Sequence, residues 1–332
     1  MHEPPVNLTP AQIVARLRAA FGITATDLVF LPLGHDAAAW VYRVQADDGG
    51  VYFLKVRLRV TNEAGLLVPR YLQNQGIRNV VAPLPGVTGA LWTHINGYAL
   101  ILYPFVTGTN GIQRRPTDDQ WTAYGRLLRQ IHETALSPDL TAILARDMFS
   151  PVGAAQIRAL DREISRRTFD EPAQQALAQC WTTQRDLIHA LVERAETLGR
   201  QVAQAGLPLV LCHADIHTGN ILLDTEGAVW IVDWDEALLA PRERDLMFVV
   251  GGISSTLVTP RDTELVLRGY GEVAVNSQAL AYYRYAWAVS DIWAYADTVF
   301  HRPDLSVQVR RSEVDMFRSL FAPGNIVSIA RA

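Results

Sequence analysis

The sequence has very few cysteines, and their positions do not suggest a structural role. Cys180 and Cys212 are the only two among 332 residues. A disulfide-rich secreted scaffold or a structural zinc site needs more cysteines at closer spacing. We therefore expect two reduced thiols, which is typical of a cytoplasmic protein.

Long apolar runs and a surplus of positive charge are also missing. No stretch of about 18 apolar residues occurs, so no transmembrane helix is expected. The first ten residues lack the apolar segment of a signal peptide. The formal net charge is −4, which gives no electrostatic reason to expect a nucleic acid or an anionic membrane as a partner. No obligate protein partner is indicated either.

The composition allows a large core and predicts two unequal parts. Hydrophobic residues make up 49% and charged residues 19% of the chain, and the length suits roughly two domains of about 150 residues each. Short strand-like runs occupy the first third, with one helix inserted among them, and helical periodicity dominates from Thr117 onwards. The predicted strands are residues 28–33, 40–45, 51–58, 90–95 and 98–105. They predict a five-stranded antiparallel sheet, followed by a larger and mainly helical part.

Lys55 lies inside the third predicted strand. Period two places it opposite the expected core face, which would consist of Tyr52, Leu54, Val56 and Leu58. A strand lysine there can hold nucleotide phosphates, or it can simply face solvent on a half-exposed sheet. Glu63 opens the next helical stretch and is the candidate carboxylate partner of this lysine. A helix N-terminal acid favoured by the helix dipole is the alternative for Glu63.

A tight loop carries both an aspartate and an asparagine. Residues 213–220 read HADIHTGN, and the spacing His-x-Asp-x-x-x-x-Asn is typical of a kinase catalytic loop. Two strand-like runs follow this loop, at residues 221–223 and 229–232, and Asp233 lies at the end of the second. The turn at residues 224–227 should pair these two strands. We therefore expect Asn220 and Asp233 to lie close together. Phosphoryl transfer requires one carboxylate for the hydroxyl proton, together with an Asn and an Asp that hold metal on a triphosphate.

Other candidate nucleotide contacts are less specific. The loop at residues 34–39 contains Asp36 and a single glycine, so it differs from a Gly-rich loop, although its small residues could admit phosphates. An ordinary hairpin loop is equally compatible. If the end of the fifth strand is a hinge, Tyr103 would be its gatekeeper, and the Pro104 carbonyl and the Val106 N–H would bind adenine. A proline at a strand end is also ordinary.

Acids near aromatic residues are the candidate substrate contacts. Asp235 and Glu236 lie two and three positions after Asp233, while Trp287 and Asp291 lie in an aromatic helical region. Helical aromatic residues usually belong to a core. Acids beside aromatic rings, however, suit a polycationic sugar.

The chain resembles the aminoglycoside phosphotransferase family of small-molecule kinases. The resemblance rests on HADIHTGNIL, on IVDWDEA and on Lys55 in its strand. The run PRERDLMF at residues 241–248 is similar to the branch that acts on the aminocyclitol antibiotic spectinomycin. The resemblance implies an α+β, two-lobed protein-kinase-like fold, with ATP or GTP and Mg²⁺ in the interlobe cleft. Residues 1–106 would be the nucleotide-binding lobe ending in the hinge, and residues 107–332 the catalytic and substrate-binding lobe.

The same resemblance implies a role for each motif residue. Asp215 resembles the catalytic base, and Asn220 and Asp233 resemble the metal ligands. Lys55 resembles the phosphate-binding lysine, with Glu63 as its partner. His213 would brace the loop.

The leading functional hypothesis is ATP-dependent O-phosphorylation of a cationic aminocyclitol antibiotic at the 9-hydroxyl of spectinomycin, conferring resistance. A second hypothesis keeps the chemistry and changes the substrate to another aminoglycoside, choline, homoserine or methylthioribose. A third is a kinase-like protein that binds without catalysis. The presence of Lys55, Asp215, Asn220 and Asp233 together argues against this third hypothesis.

Overall fold

The computed structural model describes residues 4, 5, 7–32, 39–60 and 62–332. The strands are β1 (Ala25–Leu31), β2 (Ala39–Ala46), β3 (Val51–Arg57), β4 (Trp92–Ile95), β5 (Tyr98–Pro104), β6 (Gly108–Asn110), β7 (Val210–Cys212), β8 (Ile221–Asp224), β9 (Val229–Ile231) and β10 (Leu238–Ala240). The helices are α1 (Pro10–Phe21), α2 (Ala64–Asn74), α3 (Asp118–His132), α4 (Pro138–Ile143), α5 (Ala154–Ile164), α6 (Pro172–Ala205), α7 (Glu243–Leu246), α8 (Pro260–Tyr270), α9 (Ser277–His301), α10 (Val307–Leu320) and α11 (Ile326–Arg331). Within the described ranges, no helix is long and apolar enough to cross a membrane.

The chain divides into two compact units. The first, here called the sheet unit, comprises Met1–Pro116, Glu133–Leu144 and Gly219–Ala237. The second, here called the helical unit, comprises Thr117–His132, Ala145–Thr218 and Leu238–Ala332. The predicted boundary after residue 106 separates nucleotide-binding from substrate-binding functions, and it stays a prediction.

The sheet unit contains the predicted five-stranded antiparallel sheet, in the order β1-β2-β3-β5-β4. Leu54 and Val56 of β3 are fully buried against Ile13 and Leu17 of α1, which confirms the predicted core face. Leu58 is the exception, because β3 ends at Arg57 and the Leu58 side chain is 51% exposed. The opposite face of the sheet carries Lys55 and contacts α2.

A second, three-stranded sheet in this unit has the order β6-β8-β9. The hairpin of β8 and β9 was predicted, and Ile221 pairs with Ile231 in it. Beyond this pair, the Val232 N–H donates to the Asn220 carbonyl at 3.1 Å. The backbones of Asn220 and Asp233 therefore lie at the same end of the hairpin. Strand β6 is only three residues long, too short for a recognisable period.

The helical unit is built around α9, which packs against α6, α10 and α11. Its core includes Trp181 and Phe317, which stack with ring centroids 6.0 Å apart. The helical periodicity predicted from Thr117 onwards is interrupted between α5, which ends at Ile164, and α6, which begins at Pro172. Within the run at residues 241–248, only Glu243–Leu246 is α-helical.

Candidate functional site

Lys55 belongs to a cluster of two cations and two carboxylates in the sheet unit. Its Nζ lies 2.9 Å from Asp233 Oδ1 and 2.8 Å from Asp235 Oδ2. Arg57 Nη1 lies 2.6 Å from the same Asp235 oxygen. Burial by itself lowers the pKa of Lys55, but Asp233 and Asp235 outweigh it and raise that pKa above its ordinary value. Lys55 is therefore held as a cation at any physiological pH.

The structure does not place Glu63 among the hydrogen-bonding partners of Lys55. Glu63 is exposed at the N-cap position of α2, and the lysine bonds instead to Asp233 and Asp235. The partner role of Glu63 stays a prediction. Asp235, predicted as a substrate contact, has its carboxylate on Lys55 and Arg57, while Glu236 is exposed in the turn that follows.

Asn220 and Asp233 offer oxygen donors at one end of the β8–β9 hairpin. The Asp233 side chain is 47% exposed, and its backbone is left-handed, with φ of 63°. This conformation is strained for a non-glycine residue, and such strain clusters at functional sites. An amide oxygen and a carboxylate match the hard oxygen ligands that Mg²⁺ prefers, with water and phosphate oxygens completing its shell. The donor set therefore fits the predicted metal.

The residues before Asp215 are anchored in the helical unit by a buried aspartate. Asp245 is fully buried and accepts the His213 N–H at 2.9 Å and the Ala214 N–H at 2.7 Å. The His132 Nε2 lies 3.1 Å from the same carboxylate. Burial tends to raise the pKa of Asp245, but the His132 hydrogen bond and the backbone donors bring it below its ordinary value. His132 is thus structural, and Asp245 anchors the residues that precede Asp215.

Asp215 itself is braced on both sides yet accessible. Its N–H donates to His213 Nδ1 at 3.2 Å, and the following carbonyl, of Ile216, accepts the Tyr124 hydroxyl at 2.9 Å. Its side chain is 27% exposed, with His217 Nε2 3.6 Å from Oδ1. A fixed backbone with a reachable carboxylate is what a general base requires.

The charge of Asp215 affects the pKa of Asp291 on α9. Burial raises the pKa of Asp291 to about 7, and the Asp215 carboxylate adds to that effect. One turn earlier on α9, Trp287 packs edge-on against Phe248 at 4.9 Å, and Arg244 lies 5.3 Å from the Trp287 ring centre. Two neighbouring carboxylates make this part of the helical unit favourable for a cation.

Replacing Asp291 by Asn is expected to stabilise the ligand-free protein at pH 8, raising Tm by at least about 2 °C. Because its pKa is raised in the folded protein, protonated Asp291 stabilises the fold relative to the unfolded chain. This stabilisation is lost as pH rises through about 7. The difference in Tm should close as pH falls towards about 4, where the unfolded chain is protonated too. Thermal melts at pH 5 and pH 8 measure it.

Asp297→Asn is the matched control, because it makes the same change on an exposed side chain of α9 that pairs with His301 at 2.9 Å. A Tm difference for Asp291→Asn that is equal at both pH values would contradict the assignment of a raised pKa to Asp291.

The candidate adenine contacts lie where β5 ends. Tyr103 and Pro104 are its last two residues, and Val106 follows in coil, half-buried. Asp36 is one of residues 33–38, which lie outside the described part of the chain. Sequence reasoning missed Arg57, although it lies two residues after Lys55 and period two places both on one face.

Comparison with known proteins gives three informative similarities. Protein StrN from Streptomyces griseus is 26% identical over 226 residues, which cover 66% of this chain and 67% of StrN. The crystal structure of spectinomycin phosphotransferase APH(9)-Ia in complex with ADP and spectinomycin is 31% identical, covers 98% of both chains and superposes with a TM-score of 0.89. Amicoumacin kinase hAmiN in complex with AMP-PNP and Ca²⁺ covers 96% of this chain and 95% of its own, at 15% identity and a TM-score of 0.63.

These similarities confirm the predicted kinase-like α+β fold, and for hAmiN the likeness concerns the fold alone. The sequence model of the phosphotransferase enzyme family matches residues 29–287. That match spans more than half of the chain and includes Lys55, the loop at 213–220 and Asp233. The chain therefore belongs to the phosphotransferase enzyme family and is a kinase-type enzyme that acts on hydroxyl groups.

Proposed function

We propose that this enzyme transfers the γ-phosphoryl group of ATP to an aminocyclitol antibiotic, with the 9-hydroxyl of spectinomycin as the first candidate acceptor. The observation that carries the proposal is the 31% identity to APH(9)-Ia over 98% of both chains. A dianionic phosphate on the drug would disturb its fit to its RNA target, so the proposed reaction would confer resistance.

The sheet unit would bind the nucleotide. Lys55, held as a cation on β3, would contact the α- and β-phosphates. Asn220 and Asp233 would hold Mg²⁺, which neutralises charge on the phosphate oxygens when it is bound. The proposed adenine contacts are the Pro104 carbonyl and the Val106 N–H, next to Tyr103.

Asp215 in the helical unit would act as the general base. The substrate hydroxyl oxygen forms a bond to the γ-phosphorus, and the bond from that phosphorus to the β,γ-bridging oxygen breaks, so that ADP leaves. The hydroxyl proton passes to the Asp215 carboxylate. The support for this role is the braced backbone of Asp215 and its accessible side chain.

Charge in the helical unit favours a cationic acceptor. Asp291 and Asp215 raise each other's energy when both are ionised, and a substrate ammonium group would relieve that repulsion. Trp287, one helical turn from Asp291, would supply an apolar ring surface to the sugar. Glu236 is the remaining exposed acid among the predicted substrate contacts.

A substrate panel tests the proposal. With ATP and Mg²⁺, release of ADP is measured for spectinomycin, another aminoglycoside, choline, homoserine and methylthioribose. We expect kcat/KM for spectinomycin to exceed the others by at least about a hundredfold, because transition-state contacts separate substrates on that scale. A larger kcat/KM for choline or homoserine would replace the proposed substrate while keeping the chemistry.

A further inference from the structure

The carboxylate that positions Lys55 comes from an unexpected part of the chain. We propose that Asp235, seated against the start of α2, is the positioning residue that holds Lys55 for the nucleotide phosphates, and that Arg57 fixes Asp235 in turn. This inference rests on the proposed function, because it assigns a partner to the lysine of that nucleotide site.

The contacts of Asp235 are the first support. Its Oδ2 lies 2.8 Å from Lys55 Nζ and 2.6 Å from Arg57 Nη1. Lys55 and Arg57 are alternate residues of β3 and reach this oxygen from the same face of the sheet. Charge-assisted hydrogen bonds of this length are about twice as strong as neutral ones. Two cations on one oxygen fix the place of the carboxylate, and with it that of the lysine.

Asp233 also contacts Lys55, but it is suited to a different task. The Asp233 side chain is 47% exposed, whereas that of Asp235 is 24% exposed. Asp233 is the proposed metal ligand, so its oxygens are required by the metal during the reaction. Asp235 is not a proposed metal ligand, so Lys55 keeps this carboxylate partner while the metal is bound to Asp233.

The backbone of Asp235 is docked on α2 through a glycine. A Cβ added to Gly65 would lie 2.9 Å from the Asp235 Cα and 3.0 Å from the Trp234 carbonyl oxygen. Real Cβ atoms essentially never approach backbone this closely, so the contact requires glycine at position 65. Asn62 adds a hydrogen bond from Nδ2 to the Asp235 carbonyl at 2.8 Å. The start of α2 thus receives the segment that carries Asp235.

On this proposal, Lys55 has a carboxylate partner that does not come from α2. Glu63 is exposed, two residues before the glycine that admits Asp235. Helix α2 contributes to the lysine site through the space at Gly65 and the amide of Asn62. The carboxylate itself is delivered from a segment 180 positions after Lys55 in the chain.

A double-mutant cycle on Lys55 and Asp235 tests the inference. We measure the KM for ATP, the KM for spectinomycin and kcat for Lys55→Ala, for Asp235→Asn and for the double variant. Each single change should raise the KM for ATP by about tenfold, the scale of a charged hydrogen bond. Because Asp235 acts through Lys55, the double variant should be no worse than Lys55→Ala alone. The KM for spectinomycin should change far less.

Three further variants guard against misfolding and competing partners. Gly65→Ala, which keeps every charged group, should raise the KM for ATP as Asp235→Asn does, because it displaces the docked segment. Glu63→Gln should change that KM less than Asp235→Asn. Glu226→Gln, in the exposed turn after β8, is the charge-matched control for the hairpin.

The outcomes separate this inference from the proposed function. If Lys55→Ala leaves the KM for ATP unchanged, the proposed nucleotide site is wrong, and the inference falls with it. Lys55→Ala can instead raise the KM for ATP while Asp235→Asn leaves it unchanged, raises it less than Glu63→Gln does, or adds its full effect to that of Lys55→Ala. Any of these three results overturns only the inference. A non-additive cycle together with the Gly65→Ala result supports it.

Discussion

Replacing Asp215 by Asn is expected to lower kcat at least about a hundredfold, the usual contribution of a general base. The amide keeps the size of the side chain but cannot take the hydroxyl proton. The His213, Ile216 and Tyr124 contacts that fix the loop involve backbone atoms at residues 215 and 216, so they survive the change. The KM for ATP should therefore stay within about twofold, since only a transition-state interaction is removed.

Steady-state kinetics with varied ATP and varied spectinomycin separate these effects. Asp118→Asn is the matched control, because it neutralises an exposed carboxylate at the start of α3 that pairs with Arg261, and exposed pairs contribute little. A kcat for Asp215→Asn within about fivefold of the parent would remove Asp215 as the base, since proton transfer contributes more than that.

Replacing Asp245 by Ala is expected to destabilise the fold by about 3 to 5 kcal/mol, because three buried polar groups lose their acceptor at about 1 to 3 kcal/mol each. The N–H groups of His213 and Ala214 and the His132 ring would all lose an acceptor. The loop that carries Asp215 would lose its anchor, so kcat should fall as well. Urea unfolding of both proteins measures the change in the free energy of unfolding.

The pH dependence of this variant has a definite sign. The pKa of Asp245 is lowered in the folded protein, so its stabilisation is present above the pKa of an unfolded carboxyl and is lost as pH falls through the folded pKa. The stability difference should therefore shrink in acid. Asp262→Ala, another buried aspartate of the same unit, removes a cap of α8 and should destabilise by only about 1 kcal/mol. Equal effects of the two variants would contradict the anchor role of Asp245.

Local patterns were sufficient to predict much of the sheet unit. The alternation around Leu54 and Val56 identified the buried face of β3, and it therefore placed Lys55 on the other face. Asn96 and Gly97 both have positive φ, of 50° and 83°, as the Asn-Gly hairpin signal requires. The turn at residues 224–227 likewise indicated a hairpin with Asn220 and Asp233 at one end.

Contacts between distant segments could not be predicted in this way. Periodicity identifies which face a residue occupies, but it does not indicate what lies against that face. The ion pairs from Asp235 to Lys55 and Arg57 span 180 and 178 positions. The expectation for Glu63 came from the general kinase scheme, which asks for a carboxylate partner of the strand lysine, and it stays a prediction. The close approach at Gly65 has no signature in the local sequence. The strand end at Arg57, which leaves Leu58 exposed, also depends on pairing with neighbouring strands rather than on local sequence.

The site of phosphate attachment on the product tests the central claim most directly. The enzyme is incubated with ATP, Mg²⁺ and spectinomycin, and the product is analysed by mass spectrometry and by phosphorus–proton correlation NMR. The account predicts a monophosphate with its phosphorus coupled to the proton at carbon 9, formed by the parent enzyme and strongly reduced with Asp215→Asn. Unmodified spectinomycin after complete incubation, or a phosphate on another hydroxyl, would contradict it.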